Sequence, residues 1–123
     1  MATTVGPYSP VVRAGDWLVC SGQLGLADGS LVTGGLAAQV TQAIRNLAGL
    51  LEGESSGLED VVKTTVFLTD MADFAAMNDA YVAAFGDSKP ARSAFAVVGL
   101  PLGALVEIEA WAHVSRPPAS SAS

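Results

Sequence analysis

The chain has 123 residues, of which 50% are hydrophobic and only 15% charged, with a net charge of −6. That is enough for one domain with a real core and too little for two, and the apolar balance is high for a small monomer, so self-association is expected. Six scattered cations, Arg13, Arg45, Lys63, Lys89, Arg92 and Arg116, build no basic stripe for a phosphate backbone, which argues against nucleic acid as a partner.

One cysteine, Cys20, rules out an internal disulfide framework and fits a reducing cytosol. Together with one histidine, His113, it makes no zinc site of the usual kind. The opening MATTVGPYSP has neither the cationic nor the apolar region of a signal peptide. The uncharged run 93–106 is broken by Gly99, Pro101 and Gly103, and it falls short of the ~18 apolar residues of a membrane helix. A cytoplasmic protein without a membrane partner is expected.

In chain order, Gly6-Pro7-Tyr8-Ser9-Pro10 is a stiff, turn-rich opening. Val11–Ala14 and Trp17–Ser21 read as a hairpin turning at Gly15-Asp16, with Gly22-Gln23 ending the second strand. Leu24–Gly35 reads as loop, with a turn at Asp28-Gly29 and a breaker at Gly34-Gly35. From Leu36 to about Gly53, Leu36, Val40, Ile44, Leu47 and Leu51 recur at spacings of three and four, which predicts an amphipathic helix. Val61–Thr69 is rich in β-branched residues and predicts a strand. Asp70 or Asp73 caps a second helix that ends near Phe85, with Phe74, Met77, Tyr81 and Phe85 as its core stripe. Arg116–Ser123 has the composition of a disordered tail, leaving 1–115 as the single domain.

Lys89–Val114 carries the chemistry. It reads as two strands, roughly Ala91–Val98 and Ala104–Val114, joined by a Gly/Pro turn. Alternate residues of a strand share a face, so Val106, Ile108, Ala110, Ala112 and Val114 form a core face. Leu105, Glu107, Glu109, Trp111 and His113 form the other. Strand, strand, helix, strand, helix, strand, strand predicts an α+β two-layer sandwich, a mixed sheet with both helices on one face. Nothing in one chain then covers the face of Glu107 and Trp111, and other subunits are the expected cover. The planar guanidinium of Arg92 suits a carboxylate ligand, and a partly dry Glu107 suits proton transfer to and from water. A structural salt bridge, or glutamates facing solvent, remains open from these residues alone. Cys20 is expected to be a buried structural thiol, Met77 core, Glu109 structural and His113 an interface or core residue. Asn78, on the second helix, is a possible pocket residue.

Gly6-Pro7-Tyr8-Ser9, Ser21-Gly22-Gln23, Val61–Leu68, Pro90-Ala91-Arg92-Ser93 and Leu100-Pro101 followed by Val106–Ala110 match, in order and spacing, the RidA/YjgF family of enamine/imine deaminases, which the chain resembles from about Val5 to Val114. The resemblance implies a chorismate-mutase-like fold, a homotrimer with active sites between subunits, and hydrolysis of 2-imino acids such as 2-iminobutanoate and 2-iminopropanoate to 2-oxo acids and ammonia. It implies no metal or organic cofactor. Arg92 matches the arginine that holds the substrate carboxylate, and Glu107 the glutamate that activates water. Tyr8 and Ser21 match pocket hydroxyls, and Gly22 a backbone contact. Ala94 stands where the family usually has a cysteine, so any thiol role is lost, while backbone contacts at that position survive. Three alternatives stay open: a hydrolase with a different imine substrate, a trimer that binds a small carboxylate or a protein without chemistry, and an RNA-directed activity.

Overall fold

The computed structural model describes residues 6–114. The apolar stripe of the first helix, α1 (Gly35–Glu52), is buried along its length: Leu36, Val40, Ile44, Leu47 and Leu51 all lie in the core, joined by Ala43 and Leu50. The second helix, α2 (Phe74–Phe85), buries Met77, Tyr81 and Phe85. Its entry is fixed by Asp70, whose carboxylate accepts the Ala72 N–H at 2.9 Å and opens a short 3₁₀ turn over Met71–Asp73. Its exit is Gly86, at φ 66, whose N–H returns to the Val82 carbonyl.

Both helices cover one face of a five-stranded sheet. Its strands are β1 (Val11–Ala14), β2 (Trp17–Leu24), β5 (Val61–Leu68), β6 (Ala91–Ala96) and β7 (Val106–His113), in the spatial order β1-β2-β7-β5-β6. Only β5 and β6 are parallel, and α2 is the crossover that a parallel pair needs. Along β7 the period of two sorts the residues: Val106, Ile108, Ala110 and Ala112 are fully buried under the helices, while Glu107, Glu109, Trp111 and His113 face away. The architecture is the expected α+β mixed sheet with two helices. None of the helices among the described residues is long and apolar enough to cross a membrane.

Four local expectations are corrected. First, the strands of the Lys89–Val114 stretch are not neighbours, because β5 lies between β6 and β7. The connecting segment crosses the end of β5 instead, tied by Val97 N–H to Leu68 O and Thr69 N–H to Leu105 O. Second, β2 does not stop at Ser21; it continues to Leu24 through a bulge between Cys20 and Gln23, where one extra residue lets the ladder resume. Third, the loop before α1 contains a hairpin, β3 (Leu26–Ala27) with β4 (Ser30–Leu31). Its tip, Asp28-Gly29, has φ of 55° and 83°, the paired left-handed residues of a type I′ turn. Fourth, Leu105 precedes β7 and packs against the core cluster rather than joining the face of Glu107. The expected C-terminal tail lies outside the described residues.

The face away from the helices is broad and partly apolar. Trp17 meets Trp111 edge to face at 6.1 Å and His113 at 4.8 Å. Phe67 and Phe95 make a similar contact at 5.3 Å. Trp111 is 44% exposed and Phe95 45%.

Candidate functional site

Arg92 lies on β6, at the edge of the sheet. It stands opposite Thr64 in the parallel register, and Thr64 is fully buried beneath α2, so Arg92 and Ala94 share the helix-covered side. The guanidinium rests against α2. Its Nη1 donates to Met77 Sδ at 3.6 Å, and its central carbon lies 4.9 Å from the Tyr81 ring centre and 5.6 Å from that of Phe74. It meets no carboxylate among the described residues. Ala94 is half-buried and packs against the core cluster.

Glu107 occupies the opposite face. Its neighbours across the ladders are Phe67 on β5 and Leu24 on β2. The β2 bulge brings Gly22 directly under it: a Cβ on Gly22 would overlap the Glu107 carboxylate and come within 2.9 Å of its Cγ. Only a residue without a side chain lets the carboxylate lie there. Burial pushes the Glu107 carboxyl above its ordinary pKa, and the nearby charge of Glu109 pushes the same way. Such a carboxylate exchanges protons more readily near neutrality.

Ser21 organises the neighbouring loop. Its hydroxyl donates to the Ser9 carbonyl at 2.7 Å, and its backbone N–H donates to Pro10 O at 2.8 Å. These bonds tie the segment carrying the half-exposed Tyr8 to the bulge. Gly22 and Glu107 thus meet at the bulge, with Ser21 beside them tying down the segment that carries Tyr8, and Arg92 and Ala94 belong to another neighbourhood. Within one chain the structure does not bring Arg92 and Glu107 together: the sheet separates them. Cys20 is buried on the helix side, and burial, followed by the charge of Glu54, raises its thiol to about 11. That is an inert structural thiol, as expected.

Phe74, Met77 and Tyr81, expected only as a core stripe, also surround the Arg92 guanidinium. Their contact with Arg92 depends on the β5–β6 register, which no local pattern carries. Asn78, one residue beyond Met77, has a buried Oδ1 that accepts no hydrogen bond among the described residues. Phe67 stands beside Glu107, on the outer face where the alternation along Val61–Leu68 already puts it. Among the described residues no cluster of His, Cys, Asp and Glu is arranged to hold a metal ion. A separate cavity of ≈ 330 Å³ lies between the helices, lined by Thr41, Ile44, Arg45 and Leu58 among others, and contains none of the candidate residues.

The family model described as Endoribonuclease L-PSP matches residues 1–114. A RutC family protein of Pyrococcus horikoshii is 44% identical over 111 residues, covering 89% of this chain and 88% of the relative. A mouse protein named 2-iminobutanoate/2-iminopropanoate deaminase is 44% identical over 110 residues, covering 88% of this chain and 82% of the relative. The crystal structure of RidA from an Antarctic Psychrobacter matches with a TM-score of 0.87 at 39% identity, over 91% of this chain and 92% of that one. The chain belongs to the RidA/YjgF family. The motifs that carried the resemblance sit, in this RidA/YjgF member, at structurally distinct places: the N-terminal loop, the β2 bulge, the edge strand and the outer face of β7.

Proposed function

We propose that the chain is an imine deaminase, hydrolysing small 2-imino acids such as 2-iminobutanoate and 2-iminopropanoate to 2-oxo acids and ammonia, at sites completed between copies of a homotrimer. The observation that carries this reading is the division of the site. An arginine with no carboxylate partner among the described residues lies at one edge, and a half-buried glutamate of raised pKa lies over Gly22 on the opposite face. Each is half of a site for an acid-bearing C=N compound, and a second copy supplies the missing half. The name of the mouse relative supports the substrate class.

In this mechanism Arg92 of one copy holds the substrate carboxylate through its N–H fork. Glu107 of the next removes a proton from water as the oxygen attacks the imine carbon. With the imine nitrogen protonated, the C=N π pair moves onto nitrogen and a neutral tetrahedral carbinolamine forms. Glu107 then gives its proton to the amine nitrogen and takes the hydroxyl proton as the C–N bond breaks, so the C=O forms, and the departing ammonia carries that proton away as ammonium. Holding imine and water side by side supplies the proximity contribution. A backbone carbonyl near Ala94 accepts the imine N–H, a role that does not depend on the missing thiol.

The test couples the protein to a threonine dehydratase, which releases the imine in situ, and follows 2-oxobutanoate formation. The expected result is acceleration by the native protein and none by Arg92→Ala, with a loss of about 10²-fold or more for Glu107→Ala. Full acceleration by Arg92→Ala defeats the assignment. RNA cleavage, which the family model's description names, is less favoured here: the five cations of the described residues are spread along the chain from Arg13 to Arg92 and the net charge is −6. RNA binding that weakens steeply with added salt would reverse that choice.

A further inference from the structure

Among the described residues the guanidinium of Arg92 is held by soft groups instead of by an opposite charge. Two aromatic faces and a thioether contact it, and Phe74, Met77 and Tyr81 come from one face of α2 at spacings of three and four. A ring face stabilises a cation without taking up its N–H donors. A thioether is a weak acceptor. The strong, in-plane donors of Arg92 are therefore kept for a ligand, whereas a structural carboxylate would have occupied them.

Tyr81 is itself immobilised. Its hydroxyl and that of Thr64 are hydrogen-bonded at 2.7 Å, and both side chains are buried. Phe85 packs on the ring at 4.7 Å. Thr64 is also the residue opposite Arg92 in the β5–β6 ladder. The strand that sets the height of Arg92 thus also pins the ring against which its guanidinium lies. Thr64 is the only fully buried polar residue of the core face of β5 among the described residues, and a valine there would pack as well but hold nothing.

We infer that Tyr81, pinned by Thr64, is a positioning residue that fixes the plane of the Arg92 guanidinium for an incoming carboxylate. This rests on the reading of Arg92 as the carboxylate holder. Loss of the Thr64–Tyr81 bond frees the ring to tilt and lets the guanidinium lose alignment, so binding of the carboxylate weakens while the water-activating side of the site is untouched.

The experiment measures 2-oxobutanoate binding by titration and steady-state imine hydrolysis, on the assembled protein, for native, Thr64→Val, Tyr81→Phe, the double variant and Arg92→Ala. The expected result is a rise of about 3- to 10-fold in Kd and KM for each single variant, with kcat nearly unchanged. The double variant should be no worse than either single one, since both remove the same bond. In the native protein the Arg92 side-chain N–H signals should carry a ring-current shift that changes in Tyr81→Phe. A lowered Tm with unchanged Kd, KM and Arg92 signals means that the pair only supports the core, and overturns the inference. If Arg92→Ala abolishes binding while both single variants bind as the native protein does, the inference alone fails. If Arg92→Ala binds as the native protein does, the reading of Arg92 fails, and the inference with it. Should Tyr81→Phe not fold, Thr64→Val decides the question by the same criteria.

Discussion

Gly22→Ala isolates the close approach on which the outer half of the site depends. Gly22 is outside the left-handed φ region, so its backbone accepts alanine, and the whole effect passes through Glu107. The added Cβ would come within 2.7 Å of Glu107 Cδ and 2.9 Å of its Cγ, against a contact optimum of about 3.5–4.0 Å. Three consecutive side-chain atoms are involved, so rotating the carboxylate tip alone does not relieve the clash. Pushing Glu107 off its rotamer costs about 0.5–1.5 kcal/mol. Shifting the bulge instead costs about 1–3 kcal/mol as overpacking. Alanine in place of glycine returns about 0.5–1 kcal/mol by restricting the unfolded chain. The net expectation is a loss of about 1 kcal/mol in the native background and a slight gain in a Glu107→Ala background. Urea unfolding of the four proteins of this double-mutant cycle measures the difference. A coupling energy smaller than about 0.5 kcal/mol, the usual error of additivity, refutes the placement of Glu107 over Gly22. Displacing the carboxylate by about 1 Å should also lower deamination by about 10²-fold.

Glu107→Gln should change how stability depends on pH. Burial raises the Glu107 pKa in the folded state, so between the ordinary carboxylate range and that raised value the folded protein retains a proton that the unfolded chain has released. Stability therefore falls as pH rises through this window, and the penalty is complete above it. The variant should lose this fall and be the more stable protein at neutral pH, as read from urea midpoints between about pH 4 and pH 8; parallel curves for the two proteins would count against a buried, ionising Glu107. Trp111→Glu should leave far-UV circular dichroism intact and dissociate the proposed assembly, with a fall in mass by light scattering, because Trp111 lies on the outer face clear of the core. Unchanged mass would mean that copies associate through a different surface.

Much of the fold was legible because its signals are local. Leu36, Val40, Ile44, Leu47 and Leu51 mark α1 by spacing alone, and the alternation along β7 separates Ile108 from Glu107 with no knowledge of the neighbouring strands. What was not legible depends on pairing. The Gly/Pro-rich segment around Pro101 has the composition of a hairpin turn, yet the insertion of β5 between β6 and β7 is a long-range event that turn chemistry does not report. β6 itself, Ala-Arg-Ser-Ala-Phe-Ala, has no clear amphipathic pattern. Its period of two groups Arg92 with Ala94 but does not say which side the helices cover, and its largest apolar residue, Phe95, lies on the outer face. The bulge at Ser21-Gly22 is invisible for a related reason. A glycine after a β-type run can end the strand or mark a bulge or close approach, and local sequence does not choose between these; here it marks the place where another strand's carboxylate comes close.

The division of the site also constrains how copies of the proposed enzyme meet. In a two-fold dimer the same surface patch serves both partners. For such a dimer to complete two sites, the edge carrying Arg92 and the face carrying Glu107 would have to belong to one continuous patch. The sheet lies between them: Arg92 packs on α2, whereas Glu107 lies over Gly22 on the other side. Head-to-tail contact, edge of one copy to outer face of the next, is the arrangement that completes a site, and it leaves an unused half at each end until a ring closes. The smallest such ring has three members, each site drawing on two chains. Mixing Arg92→Ala chains with Glu107→Ala chains, each inactive alone, tests this directly, since some sites in the mixed rings receive both intact halves. Recovered deamination after subunit exchange is the expected outcome. No recovery, despite exchange verified by mass, would place both groups of each working site on a single chain and remove the basis for a shared one.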